Sequence, residues 1–208
     1  MPRAAPLPPD ERRAALIAAT EPLLEQFGRD VSTKRIAEAA GVAEGTIFRV
    51  FPTKEALVDA VCEQVFDVER AEADLRRIDL ELDLESRLCE VVVVMQERLR
   101  RIFALFHALR LERKHSGKHE DFRARQHADN QRLNESIAAL LAPDRDRLRI
   151  PLLEAANLLR TLTLAMTHPM FSGPRRHEPR EIVDLALYGI TSRPAVPTTE
   201  HSTGPAAC

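Results

Sequence analysis

Between Ser32 and Lys54 the chain collects side chains suited to gripping an anionic polymer: Ser32, Lys34, Arg35, Thr46, Arg49 and Lys54. Hydroxyl and ammonium groups suit phosphate oxygens, and a guanidinium can donate two parallel hydrogen bonds to one edge of a guanine. Four cations stand there against Glu38 and Glu44, a local net charge of +2. The whole chain of 208 residues has a formal charge of −2, and its isoelectric point is near 6.4. Bulk charge therefore gives no sign of nucleic-acid binding, and any such role must rest on geometry. Other chemistries have less support. His115 and His119 are four apart, as metal ligands on a helix can be, but Gly117 lies between them and no cysteine is near; His107, His127 and His168 are scattered. No metal and no cofactor is expected, since a real site needs converging ligands. There is no glycine-rich phosphate loop, nucleophile elbow or zinc-protease helix, so the chain does not read as an enzyme.

Short elements must hold the Ser32–Lys54 groups together. Ala14, Leu16, Ile17, Leu23, Leu24 and Phe27 recur at helical spacing, and Gly28 is a natural stop. Ser32 can cap a short helix to Ala40 that buries Ile36, Ala37 and Ala40. Gly41 and Val42 form a tight turn, and a second short helix runs to Val50 or Phe51. Pro52 and Thr53 break it, and Thr53 can cap the next helix from Lys54. Three helices with a glycine between the second and third match the helix-turn-helix plan, in which the second braces the third and frees its outer side for the major groove. Spacing alone also fits any small helical bundle.

The run from Ser32 to Leu57 resembles the TetR family of bacterial transcriptional regulators, above all at Gly41-Val42, Gly45-Thr46, Phe48, Phe51-Pro52 and Lys54-Glu55-Ala56-Leu57. The resemblance covers about the first quarter of the chain. It implies an all-α subunit with an N-terminal three-helix DNA-binding domain (10–56) and a larger helical ligand-binding and dimerisation domain (57–192). It further implies a homodimer on a pseudo-palindromic double-stranded DNA operator, usually a repressor released by a small molecule. Ser32 then matches the capping hydroxyl residue that often touches a phosphate, and Thr46 the phosphate-contacting threonine. Phe48 takes the place usually held by tyrosine, and Lys54 matches the lysine that reaches the DNA backbone. Ala43 stands where a capping serine is common, and Phe48 lacks the phenolic hydroxyl; both depart from the pattern.

For base reading the candidates are Glu44, Arg49 and Val50. Arg49 can read guanine. Glu44 can accept from cytosine N4, restrain Arg49 or face solvent. Val50 can meet a thymine methyl or join the core. Arg12 and Arg13 can touch the backbone or do nothing specific. Lys54 opposes the dipole of its own helix, a cost that a phosphate partner would justify.

Beyond Lys54 the sequence stays helical. The helix starting there is expected to run past Arg70 into an acidic stretch, 67–90, with nine acids against four arginines. Long helices follow over Leu84–Arg113, across the valine run at Val91–Val94, and over His119–Leu141, with a break at Ser116-Gly117. Pro151–Met166 and Pro179–Ile190 are apolar helices around a loop at 168–174, and 193–208 reads as a disordered tail. The resemblance places the dimer contact at 151–166 and 179–190. Met95, Phe103, Phe106, His107 and Met166 are candidate pocket-lining residues, or ordinary core. An excess of six positive charges over Arg98–His127 can favour an anionic effector or pair with the acids before it, so the effector reads as apolar or anionic. No stretch is long and apolar enough to cross a bilayer, and Cys62, Cys89 and Cys208 are odd in number; both fit a cytoplasmic protein with no membrane partner. The alternative is a helical scaffold that kept the fold without specific DNA recognition.

Overall fold

The computed structural model describes residues 8–110, 119–173 and 175–189. The expected tail at 193–208 and the break at Ser116-Gly117 lie outside them. All regular structure among the described residues is helical: α1 (Pro9–Phe27), α2 (Thr33–Ala39), α3 (Glu44–Val50), α4 (Lys54–Phe66), α5 (Glu69–Leu75), α6 (Leu84–Ala108), α7 (His119–Leu141), α8 (Leu152–Thr167), α9 (Pro169–Ser172) and α10 (Pro179–Tyr188). None is long and apolar enough to cross a membrane.

Two apolar cores organise these helices. The first joins Leu16, Ile17 and Leu24 of α1, Ile36 and Ala37 of α2, Ile47 of α3, and Leu57, Val58, Val61 and Val65 of α4. The second joins α5, α7, α8 and α10 around Leu88, Val91, Val92 and Met95 of α6. Helix α6 belongs to both, because farther along it Leu105, with Leu109 just beyond its end, enters the first core. One 25-residue helix, about 38 Å long at 1.5 Å per residue, therefore runs from the centre of the larger bundle into the N-terminal module. The valine run lies within it as helix, with Val91 and Val92 fully buried.

Two expectations differ in outcome. Helix α4 stops at Phe66 instead of running past Arg70, and a separate short α5 follows. The reason is local: Asp67 leaves the helical conformation, and its carboxylate accepts the Glu69 backbone N–H at 2.9 Å, a side-chain turn that competes with helix continuation. The loop at 168–174 contains one helical turn, α9. His168 caps it, Nδ1 accepting from the Met170 N–H at 3.1 Å.

Gly28 sets the close approach of the two regions. It has φ +59° and ψ −143°, and a Cβ there would sit 2.5 Å from the Ala108 carbonyl oxygen at the end of α6. Only glycine meets both the backbone and the steric demand. Beside it, the Arg101 guanidinium of α6 makes a two-pronged pair with the Glu21 carboxylate of α1, at 2.7 and 2.9 Å.

Candidate nucleic-acid interface

Helices α2 and α3 take their positions from short-range chemistry. The Ser32 hydroxyl accepts the Arg35 N–H at 3.3 Å and caps α2. Gly41, at φ +66°, turns the chain, and the Val42 N–H closes on the Ala37 carbonyl at 3.0 Å. Ala43 occupies the cap position of α3 and supplies no side-chain bond. A contact the sequence does not reveal braces that uncapped end: the Thr33 hydroxyl of α2 donates to the Glu44 carboxylate of α3. Glu44 thus ties the two helices together and is not bound to Arg49. Thr53 caps α4 by accepting the Ala56 N–H at 3.1 Å.

Ile47 anchors α3 with no exposure, Thr46 and Val50 flank it half-buried, and Val50 packs against the first core. The outer face carries Glu44, Gly45, Phe48 and Arg49, all exposed; Phe48 is 49% exposed, unusual for an aromatic ring without a partner. Gly45 meets nothing within 4 Å where a Cβ would stand, so no internal packing demands a glycine there.

Lys54 has partners that sequence reasoning missed. Its ammonium donates to the Arg29 carbonyl at 2.8 Å and the Val31 carbonyl at 3.2 Å, tying the start of α4 to the turn before α2. Those carbonyls offset the unfavourable placement of a cation in the first turn of a helix. Two more cations rest on rings: Arg35 lies 4.3 Å from the Phe27 ring centroid, and Arg13 lies 4.5 Å from that of Phe51. Such pairings hold a guanidinium in place while leaving its edge open. No local pattern signals them, because each ring lies on or just past a different helix.

The candidate lining residues of the larger domain are not brought together. Met95 is 3% exposed within the second core, and Met166 packs against that core from α8. Phe103 stands edge-on to His168, with centroids 4.4 Å apart, while Phe106 lies 5.5 Å from Phe66 and His107 is exposed. None of the five lines either of two cavities found on the described surface. The larger of these, about 210 Å³, lies between the end of α4, α5 and α6. No cluster that could hold a metal ion occurs among the described residues.

The described residues thus form a helix-turn-helix module on a larger helical bundle. Residues 16–61 match the family described as bacterial regulatory proteins, tetR family, so this module is similar to the one those regulators carry. The fold extends the likeness beyond the module. The TetR-like regulator LfrR from Mycobacterium smegmatis, solved in complex with proflavine, superposes with a TM-score of 0.56 at 20% identity, covering 88% of this chain and 98% of that one. A tetR-family regulator from Streptomyces coelicolor gives 0.58 at 20% identity, covering 85% and 78%. NalD of Pseudomonas aeruginosa, the secondary repressor of the MexAB-OprM multidrug efflux pump, gives 0.52 at 22%, covering 88% and 98%. At these identities the likeness concerns the fold.

Proposed function

We propose that the chain represses transcription as a homodimer on a pseudo-palindromic operator and leaves it when a small molecule occupies the larger domain. The observation that carries this reading is the outer face of α3, where Phe48 and Arg49 project opposite a fully buried Ile47. In this reading residues 10–56 touch DNA and 57–192 hold the effector and the second subunit. Arg49 reads a guanine edge, and Ser32 and Thr46 meet phosphates. Lys54 spends two of its three N–H groups on the Arg29 and Val31 carbonyls and keeps one for a phosphate, already oriented. Phe48 offers its ring to sugar or a thymine methyl. Gly45 lets the sugar–phosphate chain approach the helix backbone.

The dimer forms through 151–166 and 179–190. Leu159 and Leu187 are not the residues to test it, since Leu159 is 3% exposed inside the subunit and Leu187 packs on the same core. Leu153 and Leu158 of α8, 54% and 50% exposed, present the apolar surface available to a second copy. Selection of duplexes from a randomised pool tests the reading. It should enrich an inverted repeat with half-site centres about 34–36 Å apart, or a multiple of that. Failure to enrich any sequence would favour the helical scaffold. Leu158→Glu should yield monomers by light scattering with weaker binding to the enriched duplex.

A further inference from the structure

Taking the chain as a regulator released by a small molecule, we propose that the cavity between the end of α4, α5 and α6 binds a small amphipathic carboxylate, held by Arg98 and Arg70. The cavity has an apolar side formed by Val65, Val93 and Val94, with Val93 45% exposed. A short alkyl or aryl group can rest on it. The polar side holds cations and acids in equal number, but they are not equally engaged. Asp67 accepts the Glu69 N–H, Asp74 pairs with Arg77 at 2.9 Å, and Glu97 pairs with Arg100 at 3.3 Å.

Among the cations, Arg101 is committed to Glu21. Arg70 makes no ion pair or hydrogen bond among the described residues, and it is exposed at the rim. Arg98 is half-buried and bound only to neutral acceptors, the Phe66 carbonyl at 2.7 Å and the Asp67 carbonyl. Burial pushes its guanidinium below the usual arginine range, while the nearby Asp129 and Asp67 carboxylates act in the opposite direction. Two guanidinium groups with no carboxylate hydrogen-bonded to either, beside an apolar wall, favour an anion with an apolar body over a neutral or cationic analogue.

Such a ligand competes for the groups that hold α4. Arg98 grips the last carbonyls of this 13-residue helix, and Lys54 at its other end grips the turn before α2. A carboxylate drawing Arg98 away frees one end of the element that leads to the DNA-facing helices.

The test is calorimetric titration of the full chain, without DNA, with benzoate and hexanoate, their neutral counterparts benzyl alcohol and hexanol, and the cation benzylamine. The carboxylates should bind at least about tenfold more tightly than the others. Arg98→Met and Arg70→Met should each weaken carboxylate binding by about tenfold or more, the ordinary consequence of removing a charged hydrogen-bond partner. Arg98→Lys should fall between. Arg70 contributes no structural contact, so its variant remains informative even if Arg98→Met fails to fold. Equal affinity for acid and alcohol, preference for the amine, no carboxylate binding, or an unchanged Arg70→Met would each overturn the site. A separate arm adds benzoate to the complex with the selected duplex. Carboxylate binding that depends on both arginines but leaves DNA affinity unchanged would uphold the site and overturn ligand release instead.

Discussion

Among the described residues, polar side-chain ties within the N-terminal module reach at most 25 residues along the sequence, from Lys54 to the Arg29 carbonyl, whereas several in the larger domain reach 57 or more. Ser32 and Thr53 each cap a helix by accepting an N–H three residues on. In the larger domain Arg87 reaches Asp144, 57 residues away, Arg132 reaches Glu72 over 60, and Gln96 reaches the His177 carbonyl over 81. The module is thus specified largely piece by piece. The bundle is closed by a few long-range side-chain ties, of which Arg87 is a buried charge. Between them stands α6, rooted in one core and ending in the other.

The sharpest test of this contrast is Arg87→Met. Arg87 is 1% exposed, pairs with Asp144 and donates to the Leu80 and Leu82 carbonyls, at 2.6 and 2.9 Å. Removing it should cost roughly 3–5 kcal/mol in urea unfolding, because the two carbonyls lose their donor and Asp144 is left with Arg147 alone. A loss below about 1 kcal/mol would place the pair with surface ion pairs and erase the contrast.

Gly28→Ala comes next and tests the junction. It should cost roughly 2–6 kcal/mol, backbone strain and overpacking against Ala108 contributing about 1–3 kcal/mol each. Gly41→Ala, equally strained in φ but with open space around it, should cost about 1 kcal/mol. Equal losses would show that the contact with α6 does not set the position of the module.

Ser32→Ala, at about 1 kcal/mol, should report the local, additive character of the module. Gly45→Ala is the smallest effect and has the opposite sign. It should stabilise by roughly 0.5–1 kcal/mol, since no neighbour requires the glycine, and still weaken binding to the selected duplex. Unchanged DNA affinity would remove Gly45 from the interface.

The same contrast explains what the sequence could reveal. The caps at Ser32 and Thr53, the turn at Gly41, the uncapped Ala43 and the helical reading of Val91–Val94 all follow from neighbours within one turn or from periodicity. The Thr33–Glu44 tie, the Lys54 carbonyl partners and the resting of Arg35 on Phe27 depend on which helices cross, and no local pattern encodes that. The end of α4 at Asp67 was missed for a different reason. The apolar period continues toward Ala71 and Leu75, while one aspartate side chain breaks the backbone. In the bundle, aromatic and thioether residues mark apolar positions without marking a cavity, so Met95 lies in the core while the open space forms beside Arg98.

In the proposed reading the exposed face of α3 reads base sequence while the elements around it hold the DNA backbone. Arg49→Ala and Lys54→Ala separate the two roles when titrated on the selected duplex and on a scrambled one at several salt concentrations. Arg49→Ala should cost about 1–3 kcal/mol on the selected duplex and relax preference at one base pair per half-site, with the scrambled duplex little affected. Lys54→Ala should weaken both duplexes alike, lower the salt dependence by about one unit per subunit, and loosen the turn it ties. Equal losses for Arg49→Ala on both duplexes, with no preference changed, would contradict the account and make Arg49 another phosphate contact.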